Sequence, residues 1–90
     1  MGTGPLTGEM EILVRFFGPA REAAGQSAGR YHVPPGATVE DLARRLAEAH
    51  PELEPHLARC SFALNESYAG RRTPLGVGDE LAVIPPIGGG

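Results

Sequence analysis

One segment limits the possible architecture more than any other. From Thr38 to Pro51 the chain reads "TVEDLARRLAEAHP". Val39, Leu42, Ala43 and Leu46 recur at the i, i+3, i+4, i+7 spacing that gathers apolar groups on one helical face. Arg44, Arg45 and Glu48 fall elsewhere on the same helix. Thr38 is placed to N-cap it, and Glu40 and Asp41 occupy the first turn, where the positive end of the helix dipole favours them. Pro51 ends the helix. No other stretch carries this pattern at comparable length. A lone amphipathic helix must bury its apolar face against another layer, and only short β-branched runs are left to build one.

Those runs are easily placed. "EILVRFF" (Glu11 to Phe17) is bounded by Gly18-Pro19 and reads as a strand. Ile12, Val14 and Phe16 share one of its faces, Leu13, Arg15 and Phe17 the other. Apolar groups on both faces suit a central strand covered on one side and partly covered on the other. "PAREAAG" reads as one short helical turn that opens on Pro19 and stops at Gly25. "RYHV" (Arg30 to Val33) is a second strand, closed by Pro34-Pro35-Gly36 and antiparallel to the first. "PELEPHLA" is a connector with a short turn. "SFAL" (Ser61 to Leu64) is a strand, "NES" a turn and "YAG" a short return strand. "ELAVI" (Glu80 to Ile84) is the last strand, ended by Pro85-Pro86, neither of which can donate to a ladder. The order β-β-α-β-β-β defines an α+β domain, with no repeat and no second domain.

At 90 residues the chain has room for one modest core. Its net charge of −3 argues against non-specific nucleic-acid binding, which needs clustered cations. All its basic residues are arginines. A single cysteine, Cys60, excludes an internal disulfide and an iron–sulfur cluster. No apolar run approaches transmembrane length. "MGTGPLTGEM" lacks the basic and apolar regions of a secretory signal, so a cytoplasmic protein is expected, without membrane or nucleic-acid partners. Residues 1–9 read as a flexible leader, 10–87 as the folded domain and 88–90 as a glycine tail, with Met10 an alternative start. His32, His50 and His56 lack metal-ligand spacing, and no metal site is expected. Cys60, before an apolar strand, reads as a small buried hydrophobe, with no base in sight to activate it.

The chain's chemistry is therefore sought at its end, "IPPIGGG". Gly88-Gly89-Gly90 carry no Cβ, adopt any backbone conformation and fit a channel too narrow for side chains. Pro85-Pro86 do the opposite, fixing φ as the chain leaves the sheet. From Ile87 the tip reaches about 13 Å at ~3.3 Å per residue, enough to enter a partner's pocket.

Three runs, "ILVRFFGPAREAAG", "PPGATVEDLARRL" and "LNES…PLGVGDELAVIPPIGGG", make the chain similar to the small subunits of molybdopterin synthase, which are ubiquitin-like β-grasp sulfur carriers. The resemblance spans residues 11–90. Its main marks are "D-E-x-A-x-x-P-P-x-x-G-G" from Asp79 to Gly90 and "FFG-x-x-R-E" from Phe16 to Glu22. It implies a mixed sheet of four to five strands packed on one main helix. It also implies that a ubiquitin-activating-like adenylyltransferase, using ATP, adenylates the carboxylate of Gly90. A sulfur donor protein then converts it to a thiocarboxylate, which the large synthase subunit uses to form the molybdopterin dithiolene. No cofactor is implied in the carrier itself, and the catalytic residues are expected in the partner. Carried over by residue, Gly89 and Gly90 are the functional pair, and Pro85, Pro86, Ile87 and Gly88 belong to the tail that the partner receives. Phe17, Arg21 and Ile84 are contacts for the partner. Two departures bear on partner identity. Val83-Ile84 stand where a more aromatic pair is usual, and Gly88 where alanine or serine is common.

Other readings keep the same tail. Related carriers supply sulfur for thiamine, cysteine, tRNA thiolation or secondary metabolites. A ubiquitin-like modifier would be joined through Gly90 to lysines of its targets. Lacking lysine, this chain cannot build lysine-linked polymers of itself. An independent enzyme or binding module would not need Gly89 and Gly90.

Overall fold

The computed structural model describes residues 8–86. The elements run β1 (Met10–Phe16), α1 (Gly18–Ala24), β2 (Ala28–Val33), α2 (Val39–Ala49), a 3-10 turn (Pro51–Leu53), α3 (Glu54–Leu57), β3 (Ser61–Leu64), β4 (Ser67–Ala69) and β5 (Glu80–Ile84). One five-stranded sheet has the order β2-β1-β5-β3-β4. β1 pairs antiparallel with β2 and parallel with β5, and β3 pairs antiparallel with both β5 and β4. The sheet is therefore mixed, and the last strand in sequence lies at its centre.

β1 is a central strand, as its two apolar faces imply. Ile12, Val14 and Phe16 point into the core, at most 1% exposed, while Leu13 is half-buried and Arg15 exposed. Leu81 and Val83 of β5 and Phe62 of β3 complete the sheet's inner face. Against it α2 lays Val39, Leu42, Ala43 and Leu46, the four residues of its apolar stripe, all buried. Each of the two leucines contributes roughly 1.5–3 kcal/mol by leaving water.

The N-terminus of α2 is fully capped. Thr38 Oγ1 accepts from the Asp41 amide, and the Asp41 carboxylate accepts from the Thr38 amide, a reciprocal capping box. The next two amides, Val39 and Glu40, donate to the carbonyls of Thr73 and Arg71. Arg71 reinforces this, with Nη1 on Glu40, Nη2 on the Leu57 carbonyl and its guanidinium stacked over the Phe62 ring. The segment before β5 is thus bound to the start of α2. At the other end of α2, the C-cap residue His50 shares a 2.6 Å hydrogen bond with the Tyr31 hydroxyl, tying the helix to β2.

Four details depart from the sequence reading. β1 spans Met10–Phe16, so Phe17 is not in the strand but serves as the N-cap of α1. β2 begins at Ala28, two residues before Arg30, because the pairing with β1 continues to Arg15↔Ala28. The main helix is joined by two shorter ones, since Leu53 and Leu57 of the connector are buried and fold it onto the core. Cys60 is half-buried rather than buried, at the rim of the core.

Candidate functional site

The site is the place where the chain leaves the sheet. β5 runs between β1 and β3, with Val83 opposite both Phe16 and Phe62, and Ile84 opposite Ser61. Because β1 is parallel to β5, both strands end at the same edge. The β1–α1 junction therefore stands beside the exit. There the chain turns at Gly18, whose φ of +56° is a left-handed conformation that disfavours side chains. The same glycine faces Pro85: a Cβ at residue 18 would lie 2.9 Å from Pro85 Cγ. The exit proline is seated against a position that only glycine fills without displacement. Pro85 is half-buried there and Pro86 is exposed.

Of the residues assigned to the partner contact, Phe17 is 46% exposed at this junction and Ile84 is half-buried on the adjoining strand. Arg21 is exposed on α1 and forms no ion pair among the described residues. Ile87, Gly88, Gly89 and Gly90 lie outside the described residues.

The exit opens onto the sheet face that no helix covers. In-register partners point to the same side, so pairings Arg15↔Ala82, Ala82↔Ala63 and Ala63↔Tyr68 form one row across this face. Tyr68, on the edge strand β4, is 74% exposed. A large exposed aromatic, two alanines and the half-buried Leu13 and Ile84 make an apolar surface continuous with the tail exit. The sequence reading missed Tyr68. Its signal was the alternation Ser67-Tyr68-Ala69, which becomes informative only once β4 is paired with β3. An ion pair interrupts the surface: Arg15 Nε lies 2.6 Å from Glu80 Oε2.

Much of the motif that ends the chain is scaffold. Asn65 and Glu66 form the β3–β4 turn, both at positive φ (51° and 72°). Asn65 donates to Asp79 and accepts from the Glu80 amide, while the other Asp79 oxygen accepts from Gly76. Asp79 thus fixes where β5 begins, and hence where it ends.

The remaining chemically capable groups are dispersed. Burial pushes the Cys60 thiol above its ordinary pKa, and Arg71 only partly offsets this, so the thiol stays protonated near neutrality. His50 is bonded to Tyr31, and His32 lies 3.8 Å from Glu11. Among the described residues no three His, Cys, Asp or Glu side chains gather to hold a metal. None of the described helices is long and apolar enough to cross a membrane. A groove of about 450 Å³ between α2 and α3 lies on the opposite side from the open face, with its Glu40 and Arg71 already paired.

A mixed five-stranded sheet grasping one main helix, with its central last strand ending at the rim of an open face, is a ubiquitin-like β-grasp protein. Known proteins similar to it are of the same class. The structure of SAMP1 from Haloferax volcanii superposes with a TM-score of 0.81 at 31% identity, covering 89% of this chain and 99% of that one. A chain of the protein–protein complex of subunits 1 and 2 of the molybdopterin-converting factor from Helicobacter pylori superposes with a TM-score of 0.62 at 30% identity, over 90% of this chain and 100% of that one. A molybdopterin synthase sulfur carrier subunit from Chlamydomonas reinhardtii is 40% identical over 83 residues, 90% of this chain and 100% of the relative. The ThiS family matches residues 14–90, and the chain belongs to that family.

Proposed function

We propose that this chain is the sulfur carrier subunit of a molybdopterin synthase. In this reading the Gly90 carboxylate attacks the α-phosphorus of ATP on an adenylyltransferase, and pyrophosphate leaves. Sulfide-level sulfur delivered by a donor protein attacks the acyl carbon as the bond to AMP breaks, and AMP and a proton leave to give the thiocarboxylate. The tail then enters the large synthase subunit, which supplies the catalytic groups. A free carboxylate is a poor electrophile, and adenylation gives it a leaving group. The carrier contributes position rather than acid–base chemistry.

The observation that carries the reading is the exit itself. Pro85 is seated against Gly18, and the tail departs from the central strand beside Phe17 and Ile84. That arrangement gives the tail a fixed base, with an uncovered apolar face beside it for a partner to rest on. The likeness to a named sulfur carrier subunit over that relative's whole length, and to a chain of a complex of subunits 1 and 2, supports a large-subunit partner here.

The test is the intact mass of the chain after incubation with ATP, a sulfur donor and the cognate adenylyltransferase. One sulfur replacing one oxygen, mapped to Gly90, is the expected result. A chain that stays an unmodified carboxylate under those conditions refutes the reading.

A second reading has its own support. The matched relatives include small archaeal modifier proteins at 32% and 34% identity. Joining Gly90 to lysines of other proteins would use the same adenylated intermediate. Lysine-linked conjugates on blots would favour that reading, and a discrete complex with one larger subunit would count against it.

A further inference from the structure

The Arg15–Glu80 pair sits where an apolar interface would not want a charge. Arg15 is flanked in register by Ala28 and Ala82, and beyond Ala82 the row continues through Ala63 to Tyr68. Its side chain is half exposed. Only Nε is engaged: Nε–H donates to Glu80, and Arg15 makes no other side-chain hydrogen bond among the described residues. Both Nη groups of a guanidinium held in a fixed direction are left to donate outward. Exposed pairs of this kind add little to folding, so stability does not account for its place.

The described residues around Arg15 do not meet those donors. Arg30 stands opposite Leu13, on the same face and diagonal to Arg15, and forms no ion pair among the described residues. Among the described residues Glu80 is the only carboxylate bonded to Arg15, and Glu11, on the same face and diagonal to Arg30, lies 3.8 Å from His32. Arg15 and Arg30 are matched in number by Glu80 and Glu11, but the outward Nη groups of Arg15 meet no acceptor among the described residues. A purely apolar partner closing over Arg15 would strand its donors away from water, which is costly. A carboxylate placed over Arg15 would satisfy them in a bidentate contact.

We propose that Arg15, aimed by Glu80, sets the register of docking on the open sheet face by receiving a carboxylate of the large subunit, with Ala82, Ile84, Phe17 and Tyr68 making the apolar contacts around it. The proposal rests on the carrier reading, which supplies the large subunit as occupant, and adds a polar key to that surface. Such a key discriminates partners, since a large subunit lacking the carboxylate would have to desolvate a guanidinium without return.

The experiment measures the dissociation constant between the full chain and its cognate large subunit by calorimetry, alongside the melting temperature. The exchange variant Arg15→Glu/Glu80→Arg retains an internal ion pair but places a carboxylate where the partner's would lie. It should melt like the wild type and bind at least about tenfold more weakly. Binding by the wild type should also weaken as salt rises. If the exchange variant melts early, Arg15→Gln replaces it. That variant keeps a long polar side chain, leaves Glu80 solvated, and should likewise bind about tenfold more weakly. A wild type that binds together with a folded variant that binds within about twofold overturns the proposal. A wild type that does not bind the large subunit at all refutes the carrier reading instead, and the two failures are thereby separated.

Discussion

Replacing Gly18 by alanine should both destabilise the fold and disturb the exit, and the structure divides the effect into two parts. The first is backbone strain. Residue 18 has φ +56°, and holding a residue with a Cβ in the left-handed region costs about 1–2 kcal/mol. The second is contact. The new methyl would lie 2.9 Å from Pro85 Cγ, closer than carbon atoms approach without one of them moving. Pro85 is a ring on the backbone, not the far end of a flexible side chain, so relief requires the exit itself to shift. Overpacking of this sort typically adds about 1–3 kcal/mol. Gly18→Ala should therefore cost roughly 2–5 kcal/mol in urea denaturation. Gly25→Ala is the control. Gly25 also has a left-handed φ, +75°, but nothing lies within 4 Å of its Cβ position, so it should show the strain alone. Adding Pro85→Ala to each variant closes the cycle. With residue 18 it should relieve a coupling of about 0.5–2 kcal/mol, and with residue 25 none. The rate of Gly90 thiocarboxylation should fall for Gly18→Ala and remain near wild type for Gly25→Ala. Equal costs for the two glycines, with no coupling to Pro85, would refute the idea that the glycine of "FFG" exists to seat the exit proline.

Four further outcomes are expected. Glu66→Gly should raise stability by about 0.5–1 kcal/mol, because residue 66 holds φ +72° in a two-residue turn where glycine is unstrained, and a denaturation midpoint reads this directly. Thr38→Ala should cost about 1 kcal/mol by removing half of the capping box. Hydrogen bonds from the Thr38 amide and hydroxyl hold the Asp41 carboxyl below its ordinary pKa, so its contribution is present above the unfolded value of about 3.9 and fades as pH falls through the lower folded one. The stability difference between wild type and Asp41→Asn should then be flat near neutrality and shrink in acid. Gly90→Ala, or a tag appended after Gly90, should abolish adenylation in a pyrophosphate-release assay while leaving the melting temperature unchanged. Normal turnover by the tagged chain would refute the role given to the terminal carboxylate.

The local elements were legible because their causes are local. The stripe Val39, Leu42, Ala43 and Leu46 is periodic, and each of the four is buried as the period requires. β3 and β5 occupy Ser61–Leu64 and Glu80–Ile84, the bounds that turn residues and prolines set. Gly25 stops α1 in a left-handed C-cap that donates back to Arg21 and Glu22, a conformation glycine adopts without cost. The elements that were misread depend on distant partners. The connector 51–57 became helical because Leu53 and Leu57 find the core, and β2 lengthened because β1 offers it a ladder.

Sequence alone thus determined the elements, the apolar face of the helix and the composition of the tail, since backbone propensity and side-chain period act over a few residues. It did not determine what stands next to the tail. That was decided when β5 inserted between β1 and β3, a pairing of strands separated by most of the chain. Parallel pairing with β1 brings Gly18 against Pro85 and Phe17 to the exit, and antiparallel pairing with β3 carries the row from Arg15 to Tyr68. Residues far apart in sequence share a surface only through such hydrogen-bonded registers, and a register is fixed by the burial of the whole sheet against α2 rather than by any one strand.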